Sequence, residues 1–191
     1  MLFAYKEMCE ELGVEIYTYT TVTDIKRKGD KIVSVVTDKG EIETNTVISC
    51  AGPYTRRIGK MVGLDIPVYP QRHEMLVTEP VKVFFPCMVI SGPWYAFQTK
   101  PHGSILMGIT FPDEPLFEDV DSLRPPSSWR FIEAATEVAA KIMPVLKNVS
   151  VVRQWAGYYS MTPDGQQIIG AVPEVPGFYI SAGWSGHGFQ M

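Results

Sequence analysis

The chain is poor in the residue types that mark several common functions. Its 191 residues hold 3 cysteines, and Cys9, Cys50 and Cys87 stand far apart with no CxxC pair. That excludes a disulfide framework and a zinc knuckle. There are 3 histidines, His73, His102 and His187, none close in sequence to a second metal-ligand type at ligand spacing, so no metal is expected. Basic clusters are scarce too. The formal charge is −4, and the one cluster, KRKGDK at 26–31, reads as a solvated hairpin tip. No footprint for nucleic acid is present. No apolar run approaches the ~20 residues of a membrane-spanning helix. The N-terminal MLFAYKEMCEELG lacks the basic region and cleavage site of a signal peptide, so a cytoplasmic location is the expectation. Nowhere does a G-x-G-x-x-G follow a strand, so the phosphate-binding turn of dinucleotide folds is missing.

What is present describes a folded α/β protein. Hydrophobic residues make up 46% and charged residues 20% of the chain, enough for a packed core. Leu2, Tyr5, Met8, Cys9 and Leu12 recur at helical spacing before Gly13, which predicts an N-terminal helix with a glycine cap. Residues 14–50 are rich in Val, Ile, Thr and Tyr, with turn signals at KGD and DKG. Strands are expected at 14–19, 22–27, 32–37 and 46–50. The last runs into the small-residue turn CAG, a position that in α/β folds borders a ligand crevice. The four prolines of IPVYPQRHEMLVTEPVKVFFP predict edge strands and irregular connections. WYAFQTKPHGSILMGI predicts a hairpin with strands at 94–98 and 105–109. Residues 112–126, with four prolines and five acids, read as a solvated surface loop. Ser127 or Ser128 is placed to cap a helix whose apolar stripe runs from Phe131 to Met143 and which Pro144 ends. Further strands are expected in VSVVRQWAGYY, after TPDG, and in GFYISAG.

Several residues are candidates for chemistry. His187 lies between Gly186 and Gly188, so neighbours without side chains would let it face a ligand. His73, in QRHEMLV, suits a core or a functional role equally. Ser185 fails the G-x-S-x-G elbow because His187 stands where the last glycine belongs. Asp164, in TPDG, is first a turn residue. Taken together and in order, a strand ending CAG, a proline-rich inserted region, WAGYYSMTPDG and YISAGWSGHGF resemble the D-amino acid oxidase-like family of FAD-dependent oxidoreductases. The likeness spans essentially the whole chain. Within the family it is similar to the sarcosine oxidase β subunit and L-proline dehydrogenase β subunit branch.

The resemblance implies a fold, a cofactor and a reaction. The fold would be α/β (α+β): a partial FAD-binding domain at 1–66, an inserted substrate domain of mixed sheet plus helix at 67–160, and a return segment of the FAD domain at 161–191. Val22, Ala51, Gly52, Asp164, Gly183, Gly186, Gly188 and Phe189 would border FAD, held without a covalent bond because Gly157 replaces the flavin-linked cysteine of monomeric relatives. His187, Tyr159, Gln190 and Arg72 would face a small amino acid such as sarcosine or proline, oxidised at its C–N bond by hydride transfer to the flavin. Tyr159 stands where the glycine oxidase branch has an arginine, and Gln190 where monomeric sarcosine oxidase has a lysine. Arg72 and Arg153 remain as carboxylate partners, with a structural ion pair the expected role of Arg153. Other subunits of a hetero-oligomeric enzyme would be partners. Family members carry their phosphate turn before anything like residue 1 and continue past GHGF. The chain is therefore expected to be a piece of a larger subunit, with little or no flavin affinity of its own. A non-catalytic scaffold subunit of the same fold is the alternative, and a glycerol 3-phosphate enzyme is disfavoured by the missing basic cluster.

Overall fold

The computed structural model describes residues 2–120 and 124–189. The chain opens with helix α1 (Leu2–Glu11), closed by Gly13 in a left-handed conformation at φ +81°. No residue of α1 is buried, and Leu2, Phe3 and Leu12 lie about four-fifths exposed. The strand expected at 14–19 does not form. Tyr19 takes φ 53°, which breaks an extended run, and Tyr17 and Tyr19 stay exposed with no partner strand. Strands β1 (Val22–Lys28), β2 (Lys31–Thr37) and β3 (Gly40–Glu43) then make an antiparallel meander. The third of these was not anticipated, because GEIE carries one apolar residue only.

Strand β4 (Val47–Ser49) leads through a 3-10 turn at Gly52–Tyr54 into helix α2 (Thr55–Met61). The chain crosses to the long strand β5 (Tyr69–Thr78), then β6 (Val89–Ser91), β7 (Trp94–Gln98) and β8 (Ile105–Ile109). Helix α3 (Trp129–Ile142) follows. Its cap is Ser128, whose hydroxyl accepts from Phe131 N at 3.2 Å. Pro144 opens a 3-10 turn where α3 stops. Strand β9 (Val151–Met161) runs back beside β5, and β10 (Ile168–Ala171) and β11 (Phe178–Ala182) close the described fold.

Two cores organise these elements. In the first, the five-stranded sheet β6-β7-β8-β5-β9 packs one face on α3. Leu76, Trp94, Ala96, Ile105 and Met107 meet Phe131, Ala135 and Ala139 there. In the second, β11 pairs parallel with β4 and antiparallel with β10, and Phe178, Ile180 and Ala182 pack against Ile25, Val62 and Val68. The α/β class holds, with one correction of detail. The sheet expected to be mixed is antiparallel at every pairing. β6, β7 and β8 follow one another through short turns that reverse the chain.

A second correction concerns β5, expected at an edge because of its prolines. It lies inside the sheet between β8 and β9. Its pairing with β8 starts only at Met75, so Pro70 meets no ladder on that side. The Pro70 carbonyl instead accepts from Phe117 N at 2.8 Å. A third correction concerns the acidic loop. Its charges are paired, not merely solvated: Asp113 with Arg130, Glu114 with Arg72, Glu118 with Arg56 and Asp119 with Arg57. Four arginines from α2, β5 and α3 thus strap residues 113–119 to the body of the protein. The fifth acid, Asp121, lies outside the described residues.

Candidate functional site

Register decides which side chains share a face of the five-stranded sheet. Gln71 pairs with Tyr159, His73 with Gly157, Met75 with Trp155, and Tyr95 with Gly108. Directly paired residues point the same way. These groups therefore line the face turned away from α3. The His73 and Tyr159 rings stack, with centroids 3.9 Å apart and planes at 16°. The Tyr95 ring fills the space above Gly108, where an added Cβ would sit 2.3 Å from Cζ. Its hydroxyl donates to Met75 Sδ at 3.2 Å, with Tyr159 as a neighbour. Burial, ahead of the neighbouring Tyr159, pushes the Tyr95 phenol well above its ordinary value. Nothing lies within 4 Å of a Cβ placed on Gly157, so the sheet face is open between Trp155 and Tyr159.

The glycine-rich loop after β11 closes over one end of this face. Ser185 N donates to Ser160 O at 3.0 Å, with Ser185 held at φ 48°. Gly186, at φ +90°, abuts the Tyr159 ring, where its Cβ would stand 2.4 Å from Cε2. Only a glycine allows that approach. Gly183 is equally close to Thr162, with a Cβ only 2.4 Å from Cγ2. Gly52 lies beside the residue of β9 that follows Tyr159, its Cβ position 3.6 Å from Ser160 Oγ. Next to it in the chain, Ala51 lines a cavity of about 310 Å³ with Val22, Ile58 and Ser49. The Ser49 hydroxyl is buried there without a hydrogen-bond partner. Val22 and Ile58 also border an adjoining cavity of about 390 Å³ with Arg57. A cavity of about 450 Å³ beside α3 lies on the opposite face of the sheet and gathers none of these groups.

The structure therefore sets Gly186 against the Tyr159 ring and Gly52 and Gly183 against the neighbouring Ser160 and Thr162, while Ala51 and Val22 share the cavity of about 310 Å³. It does not bring Arg72 to the Tyr159 ring. Arg72 pairs in register with Tyr158, so it points to the α3 side. Its guanidinium is bound to Glu114, with Nε to Oε1 at 2.8 Å and Nη2 to Oε2 at 3.2 Å. Arg153, expected in an ion pair, makes none among the described residues and lies over the Trp155 ring at 5.8 Å. Asp164 is exposed at a turn and accepts from Gln166 N at 3.0 Å. That backbone N–H holds its carboxyl below the usual range. His187 is exposed, its backbone N bonded to Trp184 O at 2.8 Å. Gly188 packs on Trp184, Phe189 is 77% exposed, and Gln190 lies outside the described residues. Sequence reasoning left His73 undecided and did not single out Tyr95 or Met75. The aromatic strand WYAFQ was the one local signal.

Among the described residues no cluster suits a metal ion, and no helix is long and apolar enough to cross a membrane. The family model described as DAO, FAD dependent oxidoreductase, matches residues 1–191. Glycine oxidase of Pseudomonas aeruginosa is 31% identical over 184 residues, covering 94% of this chain and 47% of that protein. Sarcosine oxidase subunit beta of Rhodobacter capsulatus is 23% identical over 98% of this chain and 44% of its own length. The crystal structure of L-proline dehydrogenase from P. horikoshii superposes with a TM-score of 0.89 at 34% identity, over 98% of this chain and 50% of that one. The chain spans about half the length of the relatives it matches.

Proposed function

The chain belongs to the DAO family of FAD dependent oxidoreductases, and from that premise we propose that it supplies the substrate sheet and part of the flavin-binding fold of an enzyme oxidising a small amino acid such as sarcosine or proline. One observation carries the reading. The two stretches WAGYYSMTPDG and SAGWSGHGF, 22 positions apart at Tyr159 and Ser181, pack on each other through Gly186 and the Tyr159 ring. We assign residues 1–66 and 161–191 to the flavin-binding part and 67–160 to the substrate part. The chain passes between these parts at the paired ends of β5 and β9, where Tyr69 faces Met161.

The residues present fit a flavin dinucleotide. The unpartnered Ser49 hydroxyl and the Val22–Ala51 cavity offer a buried polar atom in an apolar recess. When bound, the flavin supplies the acceptor for a hydride leaving the carbon next to nitrogen. This chain's part is to bind and orient. The open sheet face over Gly157 seats the substrate's side chain or N-substituent. The Tyr159 hydroxyl donates to its carboxylate, as a single hydrogen bond and not the bidentate pair of an arginine. A hetero-oligomeric partner belongs to the same reading, because a relative is a subunit of sarcosine oxidase.

The test is to express the full-length subunit, record its visible spectrum, and follow dye reduction with sarcosine and with proline. A yellow protein that reduces dye, with turnover lost in Tyr159→Phe, is the expected result. A flavin-free protein, or one indifferent to Tyr159→Phe, supports the scaffold alternative and overturns the proposal.

A further inference from the structure

The polar groups beneath the Tyr159 ring form a directed chain whose direction can be read. Gln71 Nε2 donates to the Glu114 backbone carbonyl at 2.9 Å. A carbonyl only accepts, so the amide orientation is set, and Gln71 Oε1 must be the atom that faces His73. Gln71 Oε1 lies 3.1 Å from His73 Nε2. That oxygen also only accepts, so Nε2 carries the proton. In the neutral imidazole Nδ1 is then a bare acceptor. Burial lowers the affinity of His73 for a second proton, against a smaller opposing pull from the Glu114 charge. The neutral form therefore prevails at neutral pH. Nδ1 has no hydrogen-bond partner among the described residues and is not fully sealed from solvent. His73 pairs in register with Gly157, where the sheet face is uncovered.

We propose that His73 Nδ1 accepts a hydrogen bond from the N–H of the amine bound over Gly157, and that Gln71 is the positioning residue that imposes this tautomer. The inference rests on the reading that the site takes a small amino acid. It adds that the site selects for a nitrogen bearing a hydrogen. The acidic strap takes on a role as well, because the Glu114 carbonyl fixes Gln71, while the Glu114 side chain is held by Arg72 on the other face.

Two measurements test it. The first is the imidazole ¹⁵N spectrum of the full-length flavoprotein, assigned by His73→Asn. The Nε2–H tautomer is expected, and Gln71→Met should replace it by a tautomer mixture. An Nδ1–H tautomer in the unaltered protein overturns the proposal. The second compares sarcosine with methoxyacetate, which has an ether oxygen where sarcosine has its N–H. His73→Phe keeps a ring to stack on Tyr159 but loses the acceptor. It should raise the KM for sarcosine about fivefold to tenfold, the worth of one neutral hydrogen bond. The inhibition constant of methoxyacetate should stay within about twofold, and His73→Asn, whose amide oxygen reaches the Nδ1 position, should recover part of the sarcosine affinity. Equal losses for both ligands would reduce His73 to a packing residue. Should neither sarcosine nor proline bind while the Nε2–H tautomer is found, the substrate reading fails and takes the amine contact with it. An Nδ1–H tautomer with normal turnover removes this proposal alone.

Discussion

Gly186→Ala and Gly157→Ala make the same chemical change at two glycines near Tyr159, and the geometry predicts opposite outcomes. At Gly186 the backbone has φ +90°, and the new Cβ would lie 2.4, 2.9 and 3.0 Å from Cε2, Cδ2 and Cζ of Tyr159. Holding an alanine at such a φ costs about 1–2 kcal/mol. The ring cannot yield without leaving its stack on His73, worth a further ~0.5–1.5 kcal/mol. Relief comes by lifting the loop, which gives up the bond from Ser185 N to Ser160 O. At Gly157 the Cβ meets nothing within 4 Å and φ is not positive. That substitution should be neutral to stability, or raise it by a few tenths of a kcal/mol through lost chain entropy in the unfolded state. The contrast is about 2–3 kcal/mol, or roughly 5–10 °C in Tm for a chain of this size. Thermal unfolding of both variants, with amide exchange at Ser185 to locate the damage, checks it. Equal Tm values, with Ser185 equally protected in both, would refute the docking of this loop on Tyr159.

Arg72→Met leaves the Glu114 carboxylate, only 8% exposed, without its counter-ion; a loss of about 3 kcal/mol in urea unfolding is expected. Arg72→Met with Glu114→Gln should lose clearly less, and a coupling below about 0.5 kcal/mol would reject the pair. Ser128→Ala removes both the α3 cap and a bond to buried Glu74 at 2.7 Å, for about 1–2 kcal/mol, which Ser128→Thr should restore. His73 has a folded-state pKa lowered below 6.5, so the unfolded chain binds more protons between the two values. Its stabilising contribution is complete above the unfolded value and is lost as pH falls through the folded one. His73→Phe should therefore flatten the decline in urea midpoint below about pH 6.5, and parallel profiles would refute a neutral buried imidazole.

Local chemistry made the helices and most strands legible. The α3 stripe, its serine cap and Pro144 all act within a few residues of one another, so their signal survives in the sequence. Residues 14–19 failed for the opposite reason. VEIYTY has the composition of a strand, yet a strand exists only where a neighbour completes its ladder, and among the described residues no strand pairs with these. The acidic loop failed likewise. Nothing near Glu114 or Asp119 in sequence reveals that Arg72 and Arg57, 42 and 62 positions away, will meet them.

The site shows the limit most sharply. In QRHEMLV four consecutive positions are polar, so the alternation that sorts a strand's faces is absent over Gln71–Glu74. A register shift of one residue would exchange the two faces, setting Arg72 beside Tyr159 and sending His73 toward α3. The arginine was the natural candidate for a carboxylate on charge alone. What places it elsewhere is a long-range satisfaction problem. Glu74 is 5% exposed and takes its bonds from Ser128 and Gln154 on the α3 side, while Arg72 and Glu114 neutralise each other there. A buried carboxylate without partners costs more than any gain from a free arginine on the open face. Satisfying Glu74 and Glu114 therefore fixes the register, and the register delivers Gln71 and His73 to Tyr159. The identity of the site residues is thus decided by charges on the face that does no chemistry.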